Sequence, residues 1–171
     1  MQALSFIANL IGLSLVILAS LSRGSKMSTI LALVLFGNLF VAIGYLLAGT
    51  GINGAASGLL AVVMTFINYF FEKNNKPIPK VLIGIYALSF IALNIFISAF
   101  NLYSIIVTLA CLAFLASILQ KSGQNYRICA IINTLLWIIY DLLTGSYSAI
   151  ITHGTLFAVN VTGFIINLRK K

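Results

Sequence analysis

Seven apolar runs follow one another through this chain, at about residues 3–20, 29–49, 55–71, 81–99, 103–120, 128–145 and 148–167. Each approaches the ~20 residues that carry a helix across a hydrocarbon core about 30 Å thick, and a helix satisfies its own backbone there. Residues 81–120 hold no charged side chain. One helix of that length would be about twice too long, so a break is expected at "SAFNLYS", where Asn101 and Ser104 supply turn chemistry. Only 7% of the chain is charged and 61% is hydrophobic, against about 25% charged in a soluble domain. A surface so poor in charge cannot face water, and the chain reads as an integral membrane protein.

The cations test the span count. Arg23 and Lys26 follow the first run, Lys73, Lys76 and Lys80 the third, Lys121 and Arg127 the fifth, and Arg169, Lys170 and Lys171 end the chain. The other connections, "TGING", "NLYS" and "GSY", have no Lys or Arg. With seven spans, all ten cations fall on one side, and the positive-inside rule then predicts an outer N-terminus and a cytoplasmic C-terminus. The net charge of +8 is thus accounted for by topology, and no nucleic-acid partner is expected. A secretory signal would carry its positive charge before the first run rather than after it. Cys111 and Cys129 form no ligand-spaced pair and are expected to pack as buried thiols. No cofactor is expected.

Two stretches align with each other, "NLFVAIGYLLAGTGINGAASG" from Asn38 and "NTLLWIIYDLLTGSYSAIITHG" from Asn133. Asn38 matches Asn133, Tyr45 matches Tyr140, Gly49 matches Gly145 and Gly58 matches Gly154. The expected architecture is an all-α membrane protein of seven transmembrane helices, arranged as two parallel three-helix bundles joined by a linker helix. Residues 1–76 form the first bundle, 77–101 the linker and 102–171 the second bundle. An odd linker gives both triplets the same orientation, related by an axis along the membrane normal.

One of only two carboxylates in the chain, Asp141, falls inside the sixth run. Asn133, Trp137 and Asp141 are spaced four apart, with Tyr140 beside them, and so share a helix face. His153 and Asn160 are seven apart on the seventh run and share a face there. From the turn between these helices, Asp141 lies about 6 Å deep and His153 about 11 Å, whereas Asn133 and Asn160 lie about 18–22 Å away. A carboxylate at that depth costs roughly 1–3 kcal/mol or more unless it meets water or a partner. Asp141 therefore reaches the outer interface, pairs with His153 as a buried link, or lines a polar cavity beside His153. In the last case the pair could bind substrate or exchange a proton, since His titrates near neutral pH. Asn133 and Asn160 either bond between helices or form a ligand site near the midplane. The first half offers only Ala42, Leu46, Ser57 and Met64 at the matching positions, so any cavity is lopsided. Asn9, Asn68 and Asn94 are further candidates. Asn68 is expected at the solvated end of the third run, and Asn9 divides evenly between cavity lining and helix packing. The glycines of "GTGINGAASG" suit close helix packing after a turn.

The three-one-three arrangement resembles the SWEET-like superfamily. Within it, "WIIYDLLTGS" (137–146), "HGTLFAVN" (153–160) and "GYLLAGTGINGAASG" look most like the bacterial inner-membrane YgjV family. The wider resemblance implies a facilitator of sugar-like or vitamin-like solutes. In the sugar-carrying relatives a helix-seven Asn and a nearby Trp hold the substrate, roles that Asn160 and Trp137 resemble in placement. Those relatives also bend at a Pro-Gln motif within transmembrane helices. Here the only prolines are Pro77 and Pro79, in a loop, and bending would fall to Gly12, Gly37, Gly44 or Gly84.

The resulting expectation is a multi-pass inner-membrane carrier of a small polar metabolite, using Asn133, Trp137, Tyr140, Asp141, His153 and Asn160 for substrate. The lipid bilayer is its other partner, and an oligomer is not required. A non-transporting scaffold or subunit of a membrane complex is the alternative. An enzyme is not expected, because intramembrane catalysis wants paired carboxylates, a metal cluster or a nucleophile with its base.

Overall fold

The computed structural model describes residues 1–21, 27–120 and 123–168. Arg23, Lys26, Lys121, Arg169, Lys170 and Lys171, six of the cations behind the predicted orientation, lie outside the described residues. Seven helices account for nearly all of the rest: α1 Gln2–Leu21, α2 Met27–Ala48, α3 Ile52–Lys73, α4 Lys80–Ser98, α5 Leu102–Ile118, α6 Gly123–Thr144 and α7 Tyr147–Leu168. Among the described residues there is no strand.

Six of these helices are long and apolar enough to cross a membrane. The exception is α5, which has 17 residues and spans only about 25 Å, against the full-length fifth span expected. It falls short at its C-terminal end, Ile118, while its start at Leu102 is fixed by side chains. Asn101 and Ser104 build a reciprocal capping box, with Ser104 N–H donating to Asn101 Oδ1 at 3.0 Å and Asn101 N–H to Ser104 Oγ at 3.0 Å. These are the residues on which the break is expected, and their bonds satisfy helix-end donors that would otherwise lack a partner within the helix. At the other boundary, α6 begins at Gly123, before the apolar run, and so takes Arg127 into its first turns.

The turns after α2 and α6 reverse the chain with the same device. Gly49 and Gly145 both adopt φ +68°, a left-handed conformation in which glycine escapes the Cβ clash. These two glycines occupy matching positions in the aligned stretches. In space, α2 packs against both α1 and α3, and α6 against both α5 and α7. The ring closes where α1 meets α7 and α3 meets α5, while α4 lies against α3 and α5.

Large apolar side chains point outward from the bundle, among them Phe36, Leu46, Phe66, Leu88, Phe96 and Leu142. That is the surface a bilayer solvates and water does not. With lipid outside, apolar burial gives helices little reason to associate, and close packing and polar contacts must hold them. Both are present. A Cβ at Gly12 would sit 2.8 Å from the Gly37 carbonyl oxygen, and one at Gly58 3.0 Å from the Ala42 Cβ. Gly12, Gly37 and Gly44 thus serve close contact between α1 and α2, the Gly44 site being filled by the Asn9 amide. Only Gly84, with nothing within 4 Å, faces open space among the four glycines considered for bending.

Polar contacts supply the rest. Asn94 on α4 is fully buried; its Nδ2 donates to Ser57 Oγ at 3.0 Å, and its Oδ1 accepts from Asn53 Nδ2 at 3.1 Å. Ser98 donates to Asn53 Oδ1. This cluster fastens α4 to α3. Asn68 is also buried, accepting a 3.1 Å bond from the Tyr86 hydroxyl, rather than resting in the solvated interface as expected. Asn9 is a packing residue, donating to the Ser5 carbonyl and to Ser148 Oγ and so joining α1 to α7. Cys111 is buried and Cys129 half-buried, both as free thiols.

Candidate functional site

The two tight turns, Gly49–Gly51 and Gly145–Ser146, lie together at the charge-free end of the bundle, where Thr50 and Ser146 share a 2.9 Å hydrogen bond. About one turn further in stands Asp141, with no exposed surface. Its two oxygens are taken separately. Tyr45 on α2 donates its hydroxyl to Oδ1, and the His153 Nδ1 on α7 lies 2.6 Å from Oδ2. The carboxylate therefore bridges three helices. An interfacial Asp141 is excluded by this burial, and the link to His153 is present.

An aromatic layer packs around the link. Trp137 stacks on the His153 ring, with centroids 5.4 Å apart and planes inclined by 16°. Tyr140 meets Trp137 edge-on at 5.6 Å and Tyr45 at 6.3 Å. The Tyr140 hydroxyl accepts from the Gly54 N–H at 3.2 Å, which ties α6 to the first turn of α3. Such edge and offset contacts suit the ring quadrupoles, and with them the side chains can hold one arrangement around a buried acid.

Towards the basic end a cavity of about 100 Å³ opens between the helices, lined from all seven. Four of the six expected site residues reach it: Asn133, Trp137, His153 and Asn160. Tyr140 and Asp141 do not line it. Both are almost wholly buried, 1% and 0% exposed, and they act on the cavity only through Trp137, Tyr45 and His153. The amides are also partly used. Asn133 Nδ2 donates to the Ala110 carbonyl on α5 at 2.7 Å, and Asn160 Nδ2 to the Leu156 carbonyl within α7 at 2.8 Å.

Sequence reasoning missed four lining or linking residues. Tyr45 was visible only as the repeat partner of Tyr140, with nothing in its own neighbourhood to suggest a carboxylate contact. Asn38, the repeat partner of Asn133, lines the cavity as well. Ser57 and Ser117 add hydroxyls from α3 and α5. The signal that could have found the first two was the repeat itself, read as two faces of one site.

Chemically, this is a hydrogen-bonding chamber whose wall also carries an imidazole, a phenol and a thiol, from His153, Tyr45 and Cys111. His153 has Nδ1 committed to Asp141 and its ring against Trp137, while Nε2 has no protein partner among the described residues. An imidazole held in this way can move a proton between the carboxylate and the cavity. Among the described residues no Lys or Arg lines the chamber; Arg127 is turned instead to the Gly163 carbonyl of α7, 2.7 Å from Nη1.

Comparison with known proteins places the whole chain. The model of the Imp-YgjV family, described as a bacterial inner membrane protein, matches residues 1–171. The chain belongs to this family. It is therefore a multi-pass protein of the bacterial inner membrane, in keeping with its six candidate spans. No curated protein and no solved structure matches it. The wider likeness to SWEET-like facilitators rests on residues and helix order alone.

Proposed function

We propose that this Imp-YgjV protein carries a small, uncharged, polar metabolite across the inner membrane through the chamber between its helices. One observation supports this above the others: a cavity lined from every helix, with amides, hydroxyls and one imidazole in a wall otherwise apolar. Polar groups at membrane depth are costly, and they persist where they serve a pathway or a ligand. Repeat-built carriers place their sites near the midplane in this way.

The helix contacts support two like-oriented triplets, α1–α3 and α5–α7. Each has its second helix in the middle, and the two meet at the pseudo-equivalent contacts α3 with α5 and α7 with α1. In this reading α4 is the linker, α5 completes the membrane crossings, the N-terminus is outside and the C-terminus cytoplasmic. Tyr45 and His153, drawn together on Asp141, then close the chamber towards the outside. At about 100 Å³ it is smaller than the ~300–1,000 Å³ of ordinary ligand pockets, as a closed form between two open ones would be. Parting of Tyr45 from Asp141 opens the outer end, and the tight Gly12–Gly37 contact keeps α1 and α2 moving as one body.

Uptake into proteoliposomes tests the reading. Wild-type protein is expected to accumulate at least one neutral solute from a mixed metabolite pool above empty vesicles. Asp141→Asn and Asn160→Ala are expected to lower that flux about tenfold or more while remaining folded in detergent. Wild-type flux no greater than that of empty vesicles for every solute, together with one stably co-purifying membrane protein, would support the scaffold alternative instead.

A further inference from the structure

Asn38 and Asn133 occupy matching positions in the two aligned stretches and both line the chamber, yet their amides have different fates. Asn133 spends its N–H on the Ala110 carbonyl at 2.7 Å. The Asn38 Nδ2 is buried and has no hydrogen-bond partner among the described residues. Buried amide donors are almost always satisfied, and an unsatisfied one in a low-dielectric interior is costly. Asn38 itself lines the cavity, so a partner for this amide can come from what enters there.

From this we infer that Asn38 is a substrate-contacting residue, whose amide meets an oxygen acceptor of the transported solute. The inference rests on the carrier reading above and assigns one contact within it. Geometry favours the assignment. Asn38 lies seven residues from Tyr45 on α2, about 10 Å deeper than the Tyr45–Asp141 closure, at the level of Asn133 and beyond the Trp137–His153 stack. A solute in the chamber is thus offered the Trp137 face at one end and a free amide at the other. The acceptor belongs to an uncharged group, a hydroxyl, carbonyl or amide oxygen, because among the described residues no Lys or Arg lines the chamber to neutralise an anion. If the side-chain amide is turned over, the same position offers a free carbonyl to a hydroxyl or N–H of the solute; in either orientation the partner is missing among the described residues and supplied by the ligand.

The pairing also explains why only one of two repeat-related asparagines is free. Asn133 holds α6 to α5, a scaffold duty that α1 and α2 discharge through glycine contact instead, with Gly12 against Gly37. Close backbone approach on the first side leaves the Asn38 amide without structural work.

Melting of the detergent-purified protein tests this, with Asn38→Leu, Asn38→Ala and Asn133→Ala beside wild type. The solutes are glycerol, glucose, nicotinamide, pyruvate and inorganic phosphate. Without solute, both Asn38 variants are expected to melt at or above the wild-type temperature, because they remove an unsatisfied donor, whereas Asn133→Ala melts lower. The neutral solute that most raises the wild-type melting temperature is expected to need about 3- to 10-fold higher concentration in the Asn38 variants. Asn38 variants that melt below wild type, or that respond to solute as wild type does, overturn the role of Asn38 and leave the carrier reading standing. Stabilisation by pyruvate or phosphate alone overturns the uncharged class. No response of wild type to any of the five overturns the contact, and flux in proteoliposomes then decides the carrier reading separately.

Discussion

Tyr45 and Asp141 stand 96 residues apart in the chain and share one hydrogen bond, the phenol of α2 donating to the carboxylate of α6. Each half of the sequence thus supplies one partner of a buried contact whose third member is His153 of α7. A carboxylate with no exposed surface depends on both neighbours, since an unpaired charge in such a place carries its full desolvation cost.

Removing these neighbours one at a time separates their contributions. Tyr45→Phe leaves Asp141 with His153 alone and is expected to cost about 1–3 kcal/mol. His153→Ala removes the partner of Asp141 Oδ2 and leaves a buried carboxylate half paired, and about 3–5 kcal/mol is expected. Adding Asp141→Asn to His153→Ala is expected to recover part of that loss, giving a coupling of about 0.5–3 kcal/mol in a double-mutant cycle. Unfolding in mixed detergent micelles reads these values. Strict additivity of the two substitutions would mean that Asp141 and His153 do not act as a pair.

Much of this was legible in the sequence, and the boundary is physical. Helix positions follow from apolar length, which the bilayer dictates, and the break at Asn101 follows from local turn chemistry; both are properties of contiguous residues. Asp141 with His153 was also within reach, because a tight turn puts neighbouring antiparallel helices in register. The Tyr45 contact was not, since it depends on how α2 and α6, 96 residues apart at this contact, are brought together. Asn94 shows the same limit: its bonds to Asn53 and Ser57 on α3 arise from the crossing of two largely apolar helices, which periodicity does not set. Asn68 departs from its expected solvated place because a position near the end of the third run does not show that Tyr86 of α4 folds over it.

The glycines of the first triplet offer a second measurement. At Gly12 an added methyl would lie 2.8 Å from a backbone oxygen of α2, and backbone cannot swing aside as a side chain can. Gly12→Ala is expected to push α1 from α2 and destabilise by about 1–3 kcal/mol. Gly84 has open space around it on an exposed face of α4, and Gly84→Ala is expected to be neutral or to stabilise by up to about 1 kcal/mol through helix propensity. Melting temperatures in one detergent compare the two directly. A Gly12→Ala protein as stable as wild type would show that the α1–α2 contact is loose, and would return Gly12 to the residues at which the helix could bend.

Orientation follows from the cations and is open to direct labelling. Lys73, Lys76 and Lys80 surround the exposed α3–α4 connection, and cations are retained on the cytoplasmic side during insertion. The opposite end bears Gly49, Thr50, Gly145 and the highly exposed Tyr147, with no Lys or Arg between Ala48 and Ile52 or between Thr144 and Ala149. In a background with Cys111 and Cys129 replaced by alanine, Tyr147→Cys is expected to react with a membrane-impermeant maleimide added to spheroplasts. Lys76→Cys is expected to react only after the membrane is opened. The same experiment bears on α5, the shortest helix. If α5 failed to cross, the α3–α4 and α6–α7 connections would emerge on the same side, and both cysteines would label together. Opposite labelling requires an odd number of crossings between residues 76 and 147, and α4, α5 and α6 are the three helices between them. A label pattern with Lys76→Cys reached from outside and Tyr147→Cys protected would invert the protein, and the closure at Tyr45 and Asp141 would then face the cytoplasm.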